Sequence, residues 1–227
     1  MASLANVPTS APRQVLGSDV TVFSFYANKT ITTGEGGMLV TRNPEIARRA
    51  RVMRLHGMNR DAFDRFTSKV PSWYYEVVAP GFKYNLTDIA AALGLQQLKR
   101  AHAFRAARER VVLRYNEGFR GLPLVPPPLP KAGELHSWHL YVLRLGEGVG
   151  VPRDRFIERL FEQGIGCSVH YIPLHLHPYW RERYGLVPAQ FPHSQHAYER
   201  MLSLPLYSRM TDADADRVVA AVKAALA

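Results

Sequence analysis

The run from Thr87 to Gly118, TDIAAALGLQQLKRAHAFRAARERVVLRYNEG, holds no proline and no glycine between Leu95 and Glu117. Thr87 is a good helix N-cap and Gly118 a good stop. The reading is one long helix from Asp88 to Asn116. At about 1.5 Å per residue such a rod is long enough to bridge two lobes, so the chain must pack something against each end of it.

What lies on either side is strand and short helix. Val20–Tyr26 (VTVFSFY) is β-branched and aromatic, a strand composition. Gly34, Gly36 and Gly37 mark a tight turn, and Met38–Thr41 reads as the returning strand. Asn43-Pro44 opens a helix with apolar positions at Ile46, Ala50, Met53 and Leu55, and Gly57 stops it. Residues 58–86 are aromatic and irregular, a length that in compact proteins belongs to functional or interface loops. Beyond the long helix, PLVPPPLP (123–130) reads as a linker. A strand at 138–145, a helix at 154–163, a short strand near 167–171, a helix near 196–202 and a last helix from Thr211 follow. Strand and helix alternate, which predicts an α/β protein. The expected domains are 1–121 and 122–227. Residues 1–18 read as a frayed tail.

Charge and cysteine narrow the function classes. The net charge is +10, but the arginines are spaced as solvated helix faces and no run of five like charges occurs, so nucleic acid is not the expected partner. One cysteine, Cys167, excludes an internal disulfide and fits a reducing, cytoplasmic setting. The start, MASLANVPTSAPR, lacks the pattern of a signal peptide, and no stretch reaches the roughly 18 apolar residues of a membrane span.

The stretch SFYANKTITTGEGG (24–37) sets Lys29 between a strand and a glycine turn. By base rate a lysine there is a surface residue. Ser24 on the same strand, the hydroxyls of Thr30, Thr32 and Thr33, and glycines that let backbone approach a bound group make it suited to covalent attachment of a carbonyl cofactor.

This segment resembles the active-site lysine segment of the DegT/DnrJ/EryC1/StrS family of sugar aminotransferases. The likeness continues through RLHGMNRDAF (54–63), SWYYEVVAPGFKYNLTDIAAALGLQQL (72–98), HSWHLYVLRL (136–145), GIGCSVHYIPLHLHPYW (164–180) and LSLPLYSRMTDADADRV (202–218). The resemblance implies an α/β fold: a partial PLP-transferase type I (aspartate aminotransferase-like) large domain, ending in the long connecting helix, plus a small α/β C-terminal domain. It implies pyridoxal 5'-phosphate as cofactor, held covalently by Lys29, which also shuttles protons. Ser24 would hold the cofactor phosphate, and Asn85 would reach the phosphate of a neighbouring subunit in a homodimer. Acceptor and donor would be a keto sugar nucleotide and an amino acid, usually glutamate. The YYEVV and GFKYN stretches look most like the branch acting on UDP-linked 4-keto sugars, and lysine rather than histidine at 29 favours transamination over dehydration.

The family's pattern also departs here. Its members are longer and hold the lysine near the middle, so the chain looks like their C-terminal part: a truncated product, an expressed piece, or one half of a split enzyme. The acid that pairs with the cofactor's pyridine nitrogen has no counterpart, since Asp19 does not match that motif. Poor stability of 1–57 alone, unpaired edges on both N-terminal strands and weak or absent cofactor binding are therefore expected. A non-catalytic fragment or a partner subunit completed by a separate N-terminal chain is the rival reading. Among other candidates, His170, His175 and His177 read as loop packing or substrate contact and not as a metal site, for want of cysteine or carboxylate at usual spacing. Glu35 and Arg54 read as structural. Trp73, Tyr74 and Tyr75 read as interface packing or a stack on a base, and Cys167 as a buried small residue on a strand.

Overall fold

A computed structural model describes residues 18–59 and 73–227. Residues 1–17 of the expected tail and the 60–72 part of the long loop lie outside the described residues. The chain forms two compact units that divide between Arg100 and Ala101. Residues 101–121, grouped with the first domain by sequence, thus belong to the second unit.

In the first unit, β1 (Val20–Ser24) and β2 (Gly37–Thr41) pair antiparallel, with Val20 opposite Thr41 and Ser24 opposite Gly37. Among the described residues each strand has only the other as partner. Val22 is 73% exposed, and Phe23, Met38 and Leu39 are exposed too. Helix α1 (Pro44–Met53) starts where the Asn-Pro pair predicts: the Asn43 carboxamide oxygen accepts from Glu45 N at 2.9 Å and Ile46 N at 3.4 Å. The chain after α1 runs beside a strap formed by residues 73–86. His56 N donates to Phe82 O at 2.9 Å, Tyr84 N to Arg54 O at 2.8 Å and Val78 N to Gly57 O at 2.9 Å. Gly57, at φ +74°, turns the chain into this pairing.

The single long helix is corrected to two. Helix α2 (Asp88–Lys99), capped by Thr87 (Ala90 N to Thr87 Oγ1, 3.2 Å), ends at Arg100, a single turn residue at φ −99° and ψ 0° that separates it from the next helix. Helix α3 (Ala101–Gly118) starts at once. Its Arg108, Val111, Val112 and Tyr115, one helical face, enter the core of the second unit. None of α2 is buried. The two halves serve different units, so packing and not propensity sets the break.

The second unit carries a three-stranded antiparallel sheet in the order β3 (Leu124–Val125), β4 (Tyr141–Leu145), β5 (Met201–Leu204). Three expectations change here. Leu124 and Val125 of the supposed linker join the sheet as an edge, and Pro126, with no N–H to offer, ends that edge. Residues 167–171 contribute only an isolated bridge, Ser168 to Ser203. Met201 and Leu202, assigned to a helix, open β5, which pairs with β4.

Tyr141, Leu143 and Leu145 alternate inward along β4. They meet Val111, Val112 and Tyr115 of α3, Phe156 and Leu160 of α4 (Arg153–Glu162), Leu202 and Leu204, and Val218 and Val222 of α7 (Asp212–Leu226). Each such side chain contributes roughly 1.5–3 kcal/mol by leaving water. A short helix, α5 (Pro178–Tyr184), that sequence reading missed and α6 (Pro192–Arg200) complete the unit. The buried guanidinium of Arg108 donates to the carbonyls of Trp138 (3.1 Å), His139 (3.2 Å) and Leu206 (3.0 Å) and to Ser208 Oγ (3.3 Å). Burial pulls its pKa below the ordinary arginine value. Among the described residues no helix is long and apolar enough to cross a membrane.

Candidate active site

Lys29 lies in the loop between β1 and β2, half-buried. Two hydrogen bonds of Tyr26 tie it to Ser24: Tyr26 N donates to Ser24 Oγ at 3.4 Å, and Tyr26 O accepts from Lys29 N at 3.0 Å. The structure therefore brings these two expected residues together on one turn. The Ser24 side chain is exposed at the strand end, where it can donate its hydroxyl proton to an anion.

The rest of the loop is locked by its own hydroxyls. Thr32 Oγ1 donates to Phe25 O (3.0 Å) and accepts from Gly34 N (2.9 Å), and Thr33 Oγ1 donates to Glu35 O (2.6 Å). Phe25 N donates to Gly36 O at 2.8 Å and Thr33 N to Phe25 O at 3.0 Å. Gly36 sits at φ +149°, and a Cβ there would lie 2.6 Å from Thr33 Oγ1 and 3.1 Å from Leu86 Cδ1. Only glycine fits that corner.

Two residues outside the expected set also hold the loop. Thr32 N donates to Gln97 Oε1 of α2 at 3.4 Å, and a Cβ on Gly94 would come 3.0 Å from Thr33 Cγ2. A glycine inside a helix that it does not break was the available sequence signal for that close approach.

Asn85 is half-buried on the strap just before the α2 cap, and no hydrogen bond joins it to Lys29 or Ser24 among the described residues. Trp73 is 83% exposed beside Tyr74, whose hydroxyl donates to Glu76 Oε1 at 2.8 Å. That bond raises the Tyr74 pKa. Phe82 and Tyr84 stack at 5.1 Å and are exposed as well. Asp19 lies at the opposite end of β1 from Ser24, about 17 Å away at 3.4 Å per residue, and its carbonyl accepts from Thr41 Oγ1.

In the second unit the three histidines take separate partners. His170 Nδ1 meets Ser203 Oγ at 2.8 Å, His175 Nε2 meets Gln195 Oε1 at 3.0 Å, and His177 lines a groove. Among the described residues no three His, Cys, Asp or Glu side chains are placed to hold a metal ion. Cys167 is half-buried next to the Ser168 bridge rather than on a strand, and burial pushes its thiol up to about 11.

The described residues thus form a lysine loop on a glycine-cornered hairpin, with Tyr26 bonded to both Ser24 and Lys29. The chain belongs to the DegT/DnrJ/EryC1/StrS aminotransferase family, whose model matches residues 13–223. It is similar to the spore coat polysaccharide biosynthesis protein SpsC of Bacillus subtilis, 46% identical over 96% of this chain and 57% of SpsC. It is similar in structure to Spr1654 of Streptococcus pneumoniae in its PMP form (TM-score 0.82, 33% identity, 92% of this chain and 53% of that one). It also resembles PseC of Helicobacter pylori, an aminotransferase involved in the biosynthesis of pseudoaminic acid (TM-score 0.81, 28% identity, 92% and 53%). The chain spans about half the length of the curated relatives it matches.

Proposed function

We propose that this chain carries the lysine-bearing part of a pyridoxal-phosphate-dependent aminotransferase that moves an amino group from glutamate to a keto sugar nucleotide, UDP-linked. The observation that supports it most directly is the Ser24–Tyr26–Lys29 turn. The residues present fit the cofactor on two sides: a half-buried amine for its aldehyde, and the Ser24 hydroxyl for its phosphate. Asn85 is the further phosphate ligand, acting across a homodimer. When bound, pyridoxal phosphate supplies the electron sink for amino transfer. Lys29 would hold it through Nζ and, once that amine is freed, would carry the proton between C4′ of the cofactor and the sugar carbon. Thr32, Thr33 and Gln97 keep the loop still while this happens.

The exposed apolar residues of the first unit support a companion reading, in which a partner polypeptide covers it. Val22 on the hairpin, Trp73 on the strap, and Ile89 (86% exposed), Leu95 and Leu98 on α2 face outward, more than an isolated surface usually leaves uncovered. The partner is a second copy or a chain bearing the remaining cofactor contacts, the pyridine-pairing acid above all. Together they work as an enzyme of sugar-nucleotide metabolism in the cytoplasm.

Borohydride reduction of a sample saturated with pyridoxal phosphate, followed by peptide mapping, tests the assignment. The label is expected on Lys29, with weak uptake by the chain alone, and to be lost in Lys29→Ala. Even labelling of the other lysines, unchanged in that variant, would overturn it.

A further inference from the structure

The proposed function makes no use of one buried imidazole. His175 is 4% exposed and sits in a 3-10 turn, Leu174–Leu176. One face of its ring stacks on Phe191, centroids 4.8 Å apart and planes 13° off parallel. Its edge enters a chain of hydrogen bonds: His175 Nε2 to Gln195 Oε1 at 3.0 Å, and Gln195 Nε2 to Glu199 Oε1 at 2.7 Å. Gln195 and Glu199 lie one turn apart on α6.

The chemistry of this chain fixes its direction. A carboxylate only accepts, so Glu199 draws the amide nitrogen of Gln195 to itself. The amide carbonyl then faces His175, and a carbonyl also only accepts. The proton on the imidazole must therefore be on Nε2. The His175 turn and α6 are the two walls of an apolar groove of about 610 Å³, with Tyr171, Leu174 and His177 on one side and Ser194, Ala197 and Tyr198 on the other. The relay spans from one wall to the other.

We propose that His175 is a positioning residue: the Glu199–Gln195 relay fixes its Nε2–H tautomer and, through that bond, pins the 171–177 segment to α6 and sets the width of the groove. The relay lies wholly in the second unit and is independent of the aminotransfer reading. Losing the acceptor at 199 frees the Gln195 amide to turn over, after which its NH2 group faces Nε2 and favours the other tautomer.

Long-range proton–nitrogen NMR on the full chain reads the tautomer, and amide hydrogen exchange reads the turn through Leu176 N (to Pro173 O, 2.9 Å) and His177 N (to Leu174 O, 3.1 Å). The expected results are a pure Nε2–H signal in the wild type, and in Glu199→Leu a mixture of tautomers with faster exchange at 176 and 177. His175→Phe preserves the stack on Phe191 and removes the relay, and fast exchange is expected there too. An Nδ1–H signal in the wild type, or wild-type exchange in His175→Phe, would overturn the proposal, and the first of these needs no variant to fold.

Discussion

Gly57 and Gly81 are in backbone contact: a Cβ on Gly81 would overlap the Gly57 nitrogen and lie 2.6 Å from the carbonyl carbon of His56. This contact lets the strap pair with the chain after α1. In Gly81→Ala the two segments must part, and the bonds His56 N to Phe82 O and Val78 N to Gly57 O go with them. Amide exchange at His56 and Val78 should rise at least tenfold, a shift that corresponds to ~1.4 kcal/mol or more, while amides of β4 keep their protection.

The last helix depends on a reciprocal cap. Thr211 Oγ1 accepts from Asp214 N at 3.1 Å, and Asp214 Oδ2 accepts from Thr211 N at 2.8 Å. Thr211→Ala should cost about 1 kcal/mol, read as a lower Tm, and Thr211→Ser should recover most of it.

Acid should loosen the same helix. Hydrogen bonds from the Thr211 backbone and then its hydroxyl hold the Asp214 carboxyl below the usual range, and Arg114 does the same for Asp216. A carboxyl whose folded pKa is depressed adds stability that is present above its unfolded value, about 3.9, and is lost as pH falls through the folded value. Thermal melts should therefore fall as pH drops below about 4, and Asp216→Asn should flatten that fall.

Cys167 gives the opposite sign. Its thiol is raised to about 11, against about 8.5 for an unfolded cysteine. At about pH 8 the native thiolate fraction is on the order of 10²-fold smaller than the unfolded one, so iodoacetamide should label the native chain slower by that factor. Stability should decline as pH rises between those two values, because only the unfolded chain releases the proton.

Leu202 is fully buried in the middle of the second unit's core. Leu202→Ala removes its contacts with Leu143 across the ladder and leaves a void, at a cost of about 2–5 kcal/mol in unfolding free energy. Urea titration measures it, and a cost under about 1 kcal/mol would show that the core collapses around the gap.

What was legible in the sequence was local. The Asn43-Pro44 start, the Thr87 cap, the last helix beginning at Thr211 and the glycine corner after Lys29 are each specified by side chains within a few positions, and they stand as read. The break at Arg100 was hidden because no glycine or proline marks it and because it depends on which unit each half packs into. β5 was hidden because Arg200 runs into Met201 with no turn residue between helix and strand; pairing with β4 decides it. Lys29 and Ser24 lie on one strand–turn segment in the sequence, and Tyr26 bonds to both in the structure. The partner of His175 lies twenty residues onward, so the histidine-rich string could be read as loop packing or substrate contact, but it did not show which side chain each ring would meet.

The caged guanidinium of Arg108 reaches carbonyls 30, 31 and 98 residues along the chain. A cation cannot leave water for an apolar interior until its acceptors are waiting, so this enclosure completes only once both ends of the second unit have met. It thus acts on the order of assembly: a latch formed late, which lengthens the lifetime of the native state far more than it speeds the approach to it.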